Sequence, residues 1–186
     1  MIIDEVLKET ESRMSKSINA LETELKSIRI GKASPALVEN LKVEYYGNKV
    51  PLNQVANISA PEPRLLVIQP WEKNMVGEIN KMIRMSNLDL NPNSDGNIIR
   101  IPIPPLSEER RRDTVKLVKK IGEESKIAIR NIRRDANDKL KTAQKNKDIS
   151  EDDQRKGQEK VQELTDKYIE KVDSILEKKE KEILEV

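Results

Sequence analysis

The chain has 186 residues, and its 35 Lys/Arg against 33 Asp/Glu leave a net charge of +2. It has no Cys and no His, which excludes disulfides, thiolate chemistry, Cys/His zinc sites and histidine general bases. Its length suits one large domain or two small ones, and a charged fraction of 37% suits long exposed helices better than a thick globular core.

No apolar run approaches the ~20 residues of a membrane span. Ile2 and Ile3 are followed at once by Asp4 and Glu5, so the start does not read as a secretory signal. The expectation is a cytoplasmic protein with no membrane partner. Only Tyr45, Tyr46, Trp71 and Tyr168 are aromatic, too few for a base-stacking platform. A nucleic-acid partner would therefore be read through phosphates and shape.

Residues 1–30 predict a helix. Met14, Ile18, Leu21, Leu25 and Ile28 alternate steps of four and three, a heptad seam that Leu7 extends upstream. The pattern breaks at Arg29-Ile30-Gly31-Lys32-Ala33-Ser34-Pro35. Gly31 can end a helix, and Pro35 disfavours helical angles at Ser34.

Residues 31–105 differ in composition. All nine prolines fall there, and eight basic residues balance seven acidic ones. Leu41, Val43 and Tyr45 alternate with Lys42 and Glu44 as a half-buried strand. Gly47-Asn48 reads as a turn, with Val50 to Val55 pairing back. Leu65 to Ile68 reads as a short buried strand ending at Pro70. Trp71 to Met85 reads as one helix with Met75, Ile79, Met82 and Ile83 inward. Asn93 to Asn97 is a hairpin turn, and Ile98 to Ile101 is the returning strand. The exit Pro102-Ile103-Pro104-Pro105-Leu106 favours a stiff extended segment. The entry at 31–35 and the exit at 102–106 together form a plausible hinge.

Ser107 caps a second helix that runs to about Lys145. Val118, Ile121, Ser125, Ile129, Ile132, Ala136, Leu140 and Ala143 form its seam. Asn146 to Ile149 make a short turn. Ser150 caps a third helix, with Asp152 and Asp153 in its first turn and Val161, Leu164, Tyr168, Val172, Ile175 and Ile183 as its seam. Three seams require burial, and the simplest arrangement is a three-helix bundle from residues 1–30 and 106–186. The first helix must run antiparallel to the second, because the insert returns the chain to the same end. The fold class is α+β: an elongated antiparallel three-helix bundle with a small β/α/β domain inserted at 31–105, L-shaped overall.

The second helix carries more than its seam. Arg130, Arg133, Arg134, Asn137 and Lys141 share another face, which continues back through Lys126, Lys119, Lys116 and Arg112 and forward to Lys145. Glu123 is the one acidic interruption. The stripe covers about 33 residues, or roughly 50 Å at the helical rise. Residues 110–147 hold fourteen Lys/Arg and five Asp/Glu, a net +9, whereas 148–186 hold eight and thirteen, a net −5. Stacked like charges cost a few tenths of a kcal/mol per i,i+4 pair. A face that needed only solubility would not keep them, so the stripe reads as a polyanion-binding surface.

Three stretches resemble the signature segments of bacterial ribosome recycling factors: Arg29 to Pro35, Arg130-Asn131-Ile132-Arg133-Arg134-Asp135-Ala136-Asn137, and Ile149-Ser150-Glu151-Asp152-Asp153. The resemblance spans the whole chain in length and domain order, and the Arg-rich motif is its most specific part. Lys32 departs from the Arg common in the family, keeping the charge but losing the bidentate fork. The resemblance implies a translation factor that binds the post-termination ribosome and, with elongation factor G and GTP hydrolysis by that factor, splits it into subunits. It implies that Arg29, Arg130, Arg133 and Arg134 contact large-subunit ribosomal RNA, with Asn131 and Asn137 as lesser contacts; Lys126 and Lys141 join them from the stripe. Hinge positions would be Gly31, Lys32, Ser34, Pro35, Pro102, Pro104 and Pro105. No cofactor or metal is expected.

Two other readings compete. An enzyme would need carboxylate, Lys or Ser chemistry, but pairs such as Asp152-Asp153 sit at cap positions and no Gly-rich phosphate loop is present. A coiled-coil rod is compatible with the heptads, yet the Pro-rich insert does not suit one. The expectation is a monomer and not an enzyme.

Overall fold

The structure is a computed structural model in which residues 1–185 are described. The chain divides into two compact units. The first joins Met1–Leu25 to Val115–Lys181; the second takes Lys26–Thr114 and the last residues from Glu182.

The first unit is helical. It is built from α1 (Ile2–Lys26), most of α3 (Glu108–Lys145) and most of α4 (Glu151–Glu185). Ion pairs and one hydrogen bond fix the directions. Glu9 meets Lys139 and Arg13 meets Asp135, so α1 and α3 are antiparallel. Lys126 meets Asp173 and Arg133 meets Gln162, so α3 and α4 are antiparallel too. Glu11 meets Lys167, so α4 runs parallel to α1.

The α3 seam is buried where the periodicity places it: Val118, Ile121, Ile129, Ile132, Ala136, Leu140 and Ala143. Each fully buried Leu or Ile contributes about 1.5–3 kcal/mol by removal from water. Ser125 is only half-buried, and Gly122 shares its stretch of the seam. A Cβ at Gly122 would stand 2.2 Å from a Leu176 methyl, so this glycine sets how closely α3 and α4 approach. On α4 the buried set is Val161, Thr165, Tyr168, Val172 and Ile183, while Leu164 and Ile175 are half-buried. On α1 the seam passes through Val6 and Thr10, and Leu7 is half-buried. A straight helix drifts about 20° per heptad against a 3.5-residue repeat, which moves the contact line one residue over this length. The two buried threonines are satisfied locally, Thr10 by the Val6 carbonyl at 2.6 Å and Thr165 by the Val161 carbonyl at 2.8 Å.

The α3–α4 connection is short because both sides are capped. Asp148 N–H donates to the Ala143 carbonyl at 2.9 Å, and Lys147 takes a left-handed φ of 64°. Ser150 Oγ then accepts from Asp153 N–H at 3.0 Å, and Ser150 N–H donates to the Asp153 carboxylate at 3.4 Å, a reciprocal capping box.

The second unit holds six strands and a helix, more than the β/α/β read from the sequence. β1 (Lys42–Tyr45) and β2 (Asn48–Pro51) form a two-stranded antiparallel hairpin. β3 (Ala56–Glu62), β4 (Leu65–Pro70), β5 (Asn93–Asp95) and β6 (Ile98–Pro102) form an antiparallel sheet in the order β3-β4-β6-β5. α2 (Met75–Met85) buries Met75, Ile79 and Ile83, with Leu52, Leu66, Ile68, Ile99, Ile101 and Ile103 in the same core.

Five expectations shift. The strand read over Val50 to Val55 is β2 at Asn48–Pro51, because Leu52–Gln54 turn away as a 3-10 helix. The hairpin turn is Tyr46-Gly47, with φ 47° and 81°, one residue before Gly47-Asn48. α2 starts at Met75, and Trp71 instead ends the preceding strand region, its N–H donating to the Val55 carbonyl at 3.1 Å. Asn93 to Asp95 are already paired as β5. α1 ends at Lys26, with Ile28 half-buried beyond it.

Candidate nucleic-acid interface

The helix that carries the basic stripe is specified at both ends. Ser107 Oγ accepts from Arg110 N–H at 3.2 Å, and Glu108 and Glu109 place negative charge against the positive end of the helix dipole. Lys145 lies in the last turn, where the dipole favours a cation. The seam on one side holds the helix in the first unit and presents the stripe on another.

The stripe residues fall into two groups. Three are steadied by neighbours. Lys126, half-buried, reaches Asp173 of α4 at 2.5 Å. Arg133, half-buried, donates to Gln162 of α4 at 3.3 Å. Arg130 pairs with Glu123 two turns earlier on its own helix at 3.2 Å, both side chains being exposed. Arg134, Asn131 and Lys141 are exposed and make no ion pair or side-chain hydrogen bond among the described residues. Asn137 is half-buried, and its Oδ1 has no hydrogen-bond partner among them.

This arrangement suits phosphate. Exposed pairs such as Arg130–Glu123 are worth about 0.2–1 kcal/mol, so a phosphate oxygen can replace the carboxylate at little cost. Guanidinium forks match phosphate geometry, and the unpaired Arg134 and Lys141 add charge without first losing a partner. Partial burial of Lys126 and Arg133 reduces the side-chain freedom lost on binding.

Arg29 belongs to the second unit. Its guanidinium donates to the carbonyls of Leu88 and Pro104, both at 3.3 Å, and its Nε is buried without a partner. Burial lowers its pKa from the ordinary value, the nearby Arg110 charge adds to this, and Asp89 opposes it. Asp89 has a left-handed φ of 54° and is paired with Arg110, which holds its carboxyl below the usual range. Arg29, Arg84, Asp89 and Arg110 line a cleft of about 480 Å³ within this unit. Here Arg29 ties loop carbonyls together, while the seven other named contacts lie on α3.

The residues read as hinge positions are also unequal. Gly31 is buried with φ +85°, a conformation that glycine adopts without Cβ strain. Ser34 caps a single 3-10 turn over Pro35–Leu37, accepting from Ala36 N–H at 3.3 Å. Ala33 N–H donates to the Pro63 carbonyl at 2.7 Å, and Ile103 N–H to the Arg64 carbonyl at 2.8 Å. Pro102 is paired with Leu65 in the sheet. Ser34, Pro35 and Pro102 are thus built into the second unit, while Lys32, Pro104 and Pro105 are exposed.

Sequence reasoning missed the groups that position the stripe. Gln162 and Asp173 belong to another helix, and only the α3–α4 register brings them opposite Arg133 and Lys126. The Asp89–Arg110 pair left no periodic signal either.

Fold and basic face together define an α+β class: a helical unit bearing a long cationic face, interrupted by an antiparallel β unit. A model of the ribosome recycling factor family matches residues 21–184, and the chain belongs to that family. It is 54% identical over 185 residues to the ribosome-recycling factor of Clostridium novyi (strain NT), covering 100% of both chains. It is 57% identical over 182 residues to that of Halalkalibacterium halodurans, covering 98% of each. A solution structure of the ribosome recycling factor superposes with a TM-score of 0.78 at 45% identity, over 100% of this chain and 99% of that one. The T. thermophilus ribosome recycling factor, described with E. coli elongation factor G on the E. coli post-termination complex, superposes with a TM-score of 0.68 at 50% identity, over 99% of this chain and 100% of that one. The family works in protein biosynthesis, so the chain is a translation factor. Among the described residues no helix is long and apolar enough to cross a membrane.

Proposed function

We propose that the chain binds the post-termination ribosome through the cationic face of α3. With elongation factor G and GTP hydrolysis by that factor, it then splits the ribosome into subunits. The observation that carries this reading is the alignment of Lys126, Arg130, Arg133, Arg134 and Lys141 along one face of α3, in a chain related over its whole length to recycling factors. Large-subunit ribosomal RNA is the polyanion that this face meets, with Asn131 and Asn137 beside the cations. Arg29, just beyond α1, joins these contacts although its guanidinium also holds the Leu88 and Pro104 carbonyls.

Residues 1–30 and 106–186 are the ribosome-binding part, and 31–105 is the part that the elongation factor moves. Ser34, Pro35 and Pro102 travel with the moving part, while Gly31, Lys32, Pro104 and Pro105 absorb the change in backbone angles. The chain acts as a cytoplasmic monomer with no cofactor and no catalytic group of its own.

The test is binding of the full chain to ribosomes and isolated large subunits across a salt series, with subunit splitting followed by light scattering. Affinity should fall steeply with salt as counterions are released on phosphate contact. The Arg130→Ala/Arg133→Ala variant should lose about 1.5–3 kcal/mol per charge-assisted contact while its melting stays close to the parent's. Equal affinity of variant and parent at moderate salt would show that the stripe is only a solvated face.

A further inference from the structure

Two of the chain's four aromatic residues meet in the second unit at Glu72, and a third, Trp71, is the residue before Glu72 in the chain. Tyr45 and Tyr46 stand edge to face, with ring centroids 4.6 Å apart and an interplanar angle of 73°. Both hydroxyls donate to one carboxylate: Tyr45 to Glu72 Oε1 at 2.7 Å and Tyr46 to Glu72 Oε2 at 3.0 Å. Trp71 is 66% exposed, and Tyr46 is 71% exposed.

Tyr45 packs against the core of this unit, but folding does not account for Tyr46 and Trp71. Tyr46 has a φ of +47° at the first position of a two-residue hairpin turn, where Asn or Gly is preferred. Its ring is not recovered by the core, which is built from aliphatic residues and Met75. Trp71 lies outside α2 and likewise leaves most of its surface in water. A locally unfavourable residue that turns an aromatic ring outward, beside a second exposed aromatic, marks an interaction surface.

The chemistry selects the partner. Glu72 is the centre of the cluster and pairs with no cation among the described residues. A carboxylate there repels a phosphate backbone, whereas an Arg or Lys could face it and lie against the adjoining aromatic rings. Tyr and Trp are also the residues that anchor protein interfaces. We propose that Tyr46, Trp71 and Glu72 form the surface by which elongation factor G engages the second unit, receiving an Arg- or Lys-bearing segment of that factor. The proposal rests on the function given above, which requires this unit to be acted on by that one protein.

The test uses the full chain with Tyr46→Asn and, separately, Trp71→Ala. Asn suits a left-handed turn position, which offsets the loss of the exposed Tyr46–Glu72 hydrogen bond and the Tyr45 ring contact. Tyr46→Asn should therefore melt close to the parent, and a melting curve of each variant checks that it is folded. Splitting by light scattering is titrated with elongation factor G and GTP at saturating chain, and pelleting measures ribosome affinity without the elongation factor. Each variant should need about tenfold more elongation factor for half-maximal splitting, the scale of one interface anchor, with ribosome affinity unchanged. Glu72→Gln, which keeps acceptor and shape but loses charge, should shift the midpoint the same way and weaken its salt dependence. An unchanged midpoint in Tyr46→Asn and Trp71→Ala overturns the proposal. So does a loss of ribosome affinity at an unchanged midpoint, which would make the aromatics an RNA-stacking site. A parent chain that splits no ribosomes at any elongation-factor concentration would remove the functional reading itself, and this proposal with it.

Discussion

Gly122→Ala sets two effects of opposite sign against each other. In a helix interior the change gains about 1 kcal/mol from backbone propensity. At this position the new Cβ would meet Leu176 Cδ1 at 2.2 Å, Cδ2 at 2.7 Å and Cγ at 2.9 Å. The methyls lie at the free end of a half-buried side chain and can turn aside, but Cγ moves only if the Leu176 rotamer or the helix backbone moves. Overpacking of this kind costs about 1–3 kcal/mol. The net expectation is a destabilisation of about 0–2 kcal/mol, despite the better helix former. The sign should reverse once Leu176 is shortened. In a Leu176→Ala background Gly122→Ala should stabilise by about 1 kcal/mol, giving a coupling of about 1–3 kcal/mol between the two sites. Urea unfolding of parent, both single variants and the double variant measures the cycle, with m-values checked for constancy. If Gly122→Ala stabilises the parent as much as the Leu176→Ala background, α3 and α4 do not approach as closely as described.

Three further outcomes follow from the same packing. Ile132→Ala should cost about 2–5 kcal/mol, because Ile132 is 6% exposed, whereas Arg134→Ala should cost under about 0.5 kcal/mol; chemical denaturation of both checks the phase of α3. Lys139 hydrogen-bonds Glu9 and holds its carboxyl below the ordinary value, so the pair's contribution is present above the unfolded pKa and lost as pH falls through the folded one. Lys139→Met should therefore flatten the melting profile on the acid side of the ordinary Glu pKa, with the parent and variant converging once Glu9 is protonated in both states. Ser150→Ala removes the Oγ acceptor of the α4 capping box and should cost about 0.5–2 kcal/mol by thermal melting, with ribosome affinity unchanged.

What the sequence made legible was whatever repeats or caps. The α3 seam from Val118 to Ala143 has the helical period, and Ser107 and Ser150 stand where their oxygens meet free N–H groups. The stripe was legible for the same reason, since period alone separates it from the seam. β3 was not. Its burial pattern is almost wholly exposed and it contains Pro61, so nothing alternates; it exists because β4 pairs with it from Ala56↔Pro70 to Glu62↔Leu65. The Tyr46-Gly47 turn lay one residue from its expected place because Gly47 serves either register, and Val43↔Val50 pairing decides. Arg29 shows the same limit in the candidate site. Its neighbours Leu88 and Pro104 are distant in sequence, and their carbonyls have no pattern to read.

The connectivity of the helical unit also has a consequence in time. α3 and α4 are joined by a tight capped turn, so their contacts are local and form quickly once both exist. α1 is made first, yet every helix it packs against lies beyond the inserted β unit. At about 5–20 residues per second, synthesis from the end of α1 to the end of α3 takes roughly 6–24 s. Through that interval Val6, Met14, Ile18, Leu21 and Leu25 have no seam to meet, while the β unit gathers its own core from residues in between. During its manufacture the chain therefore presents α1 as an unpaired amphipathic helix ahead of the β unit, with the charged residues on its other faces keeping it in solution until α3 arrives.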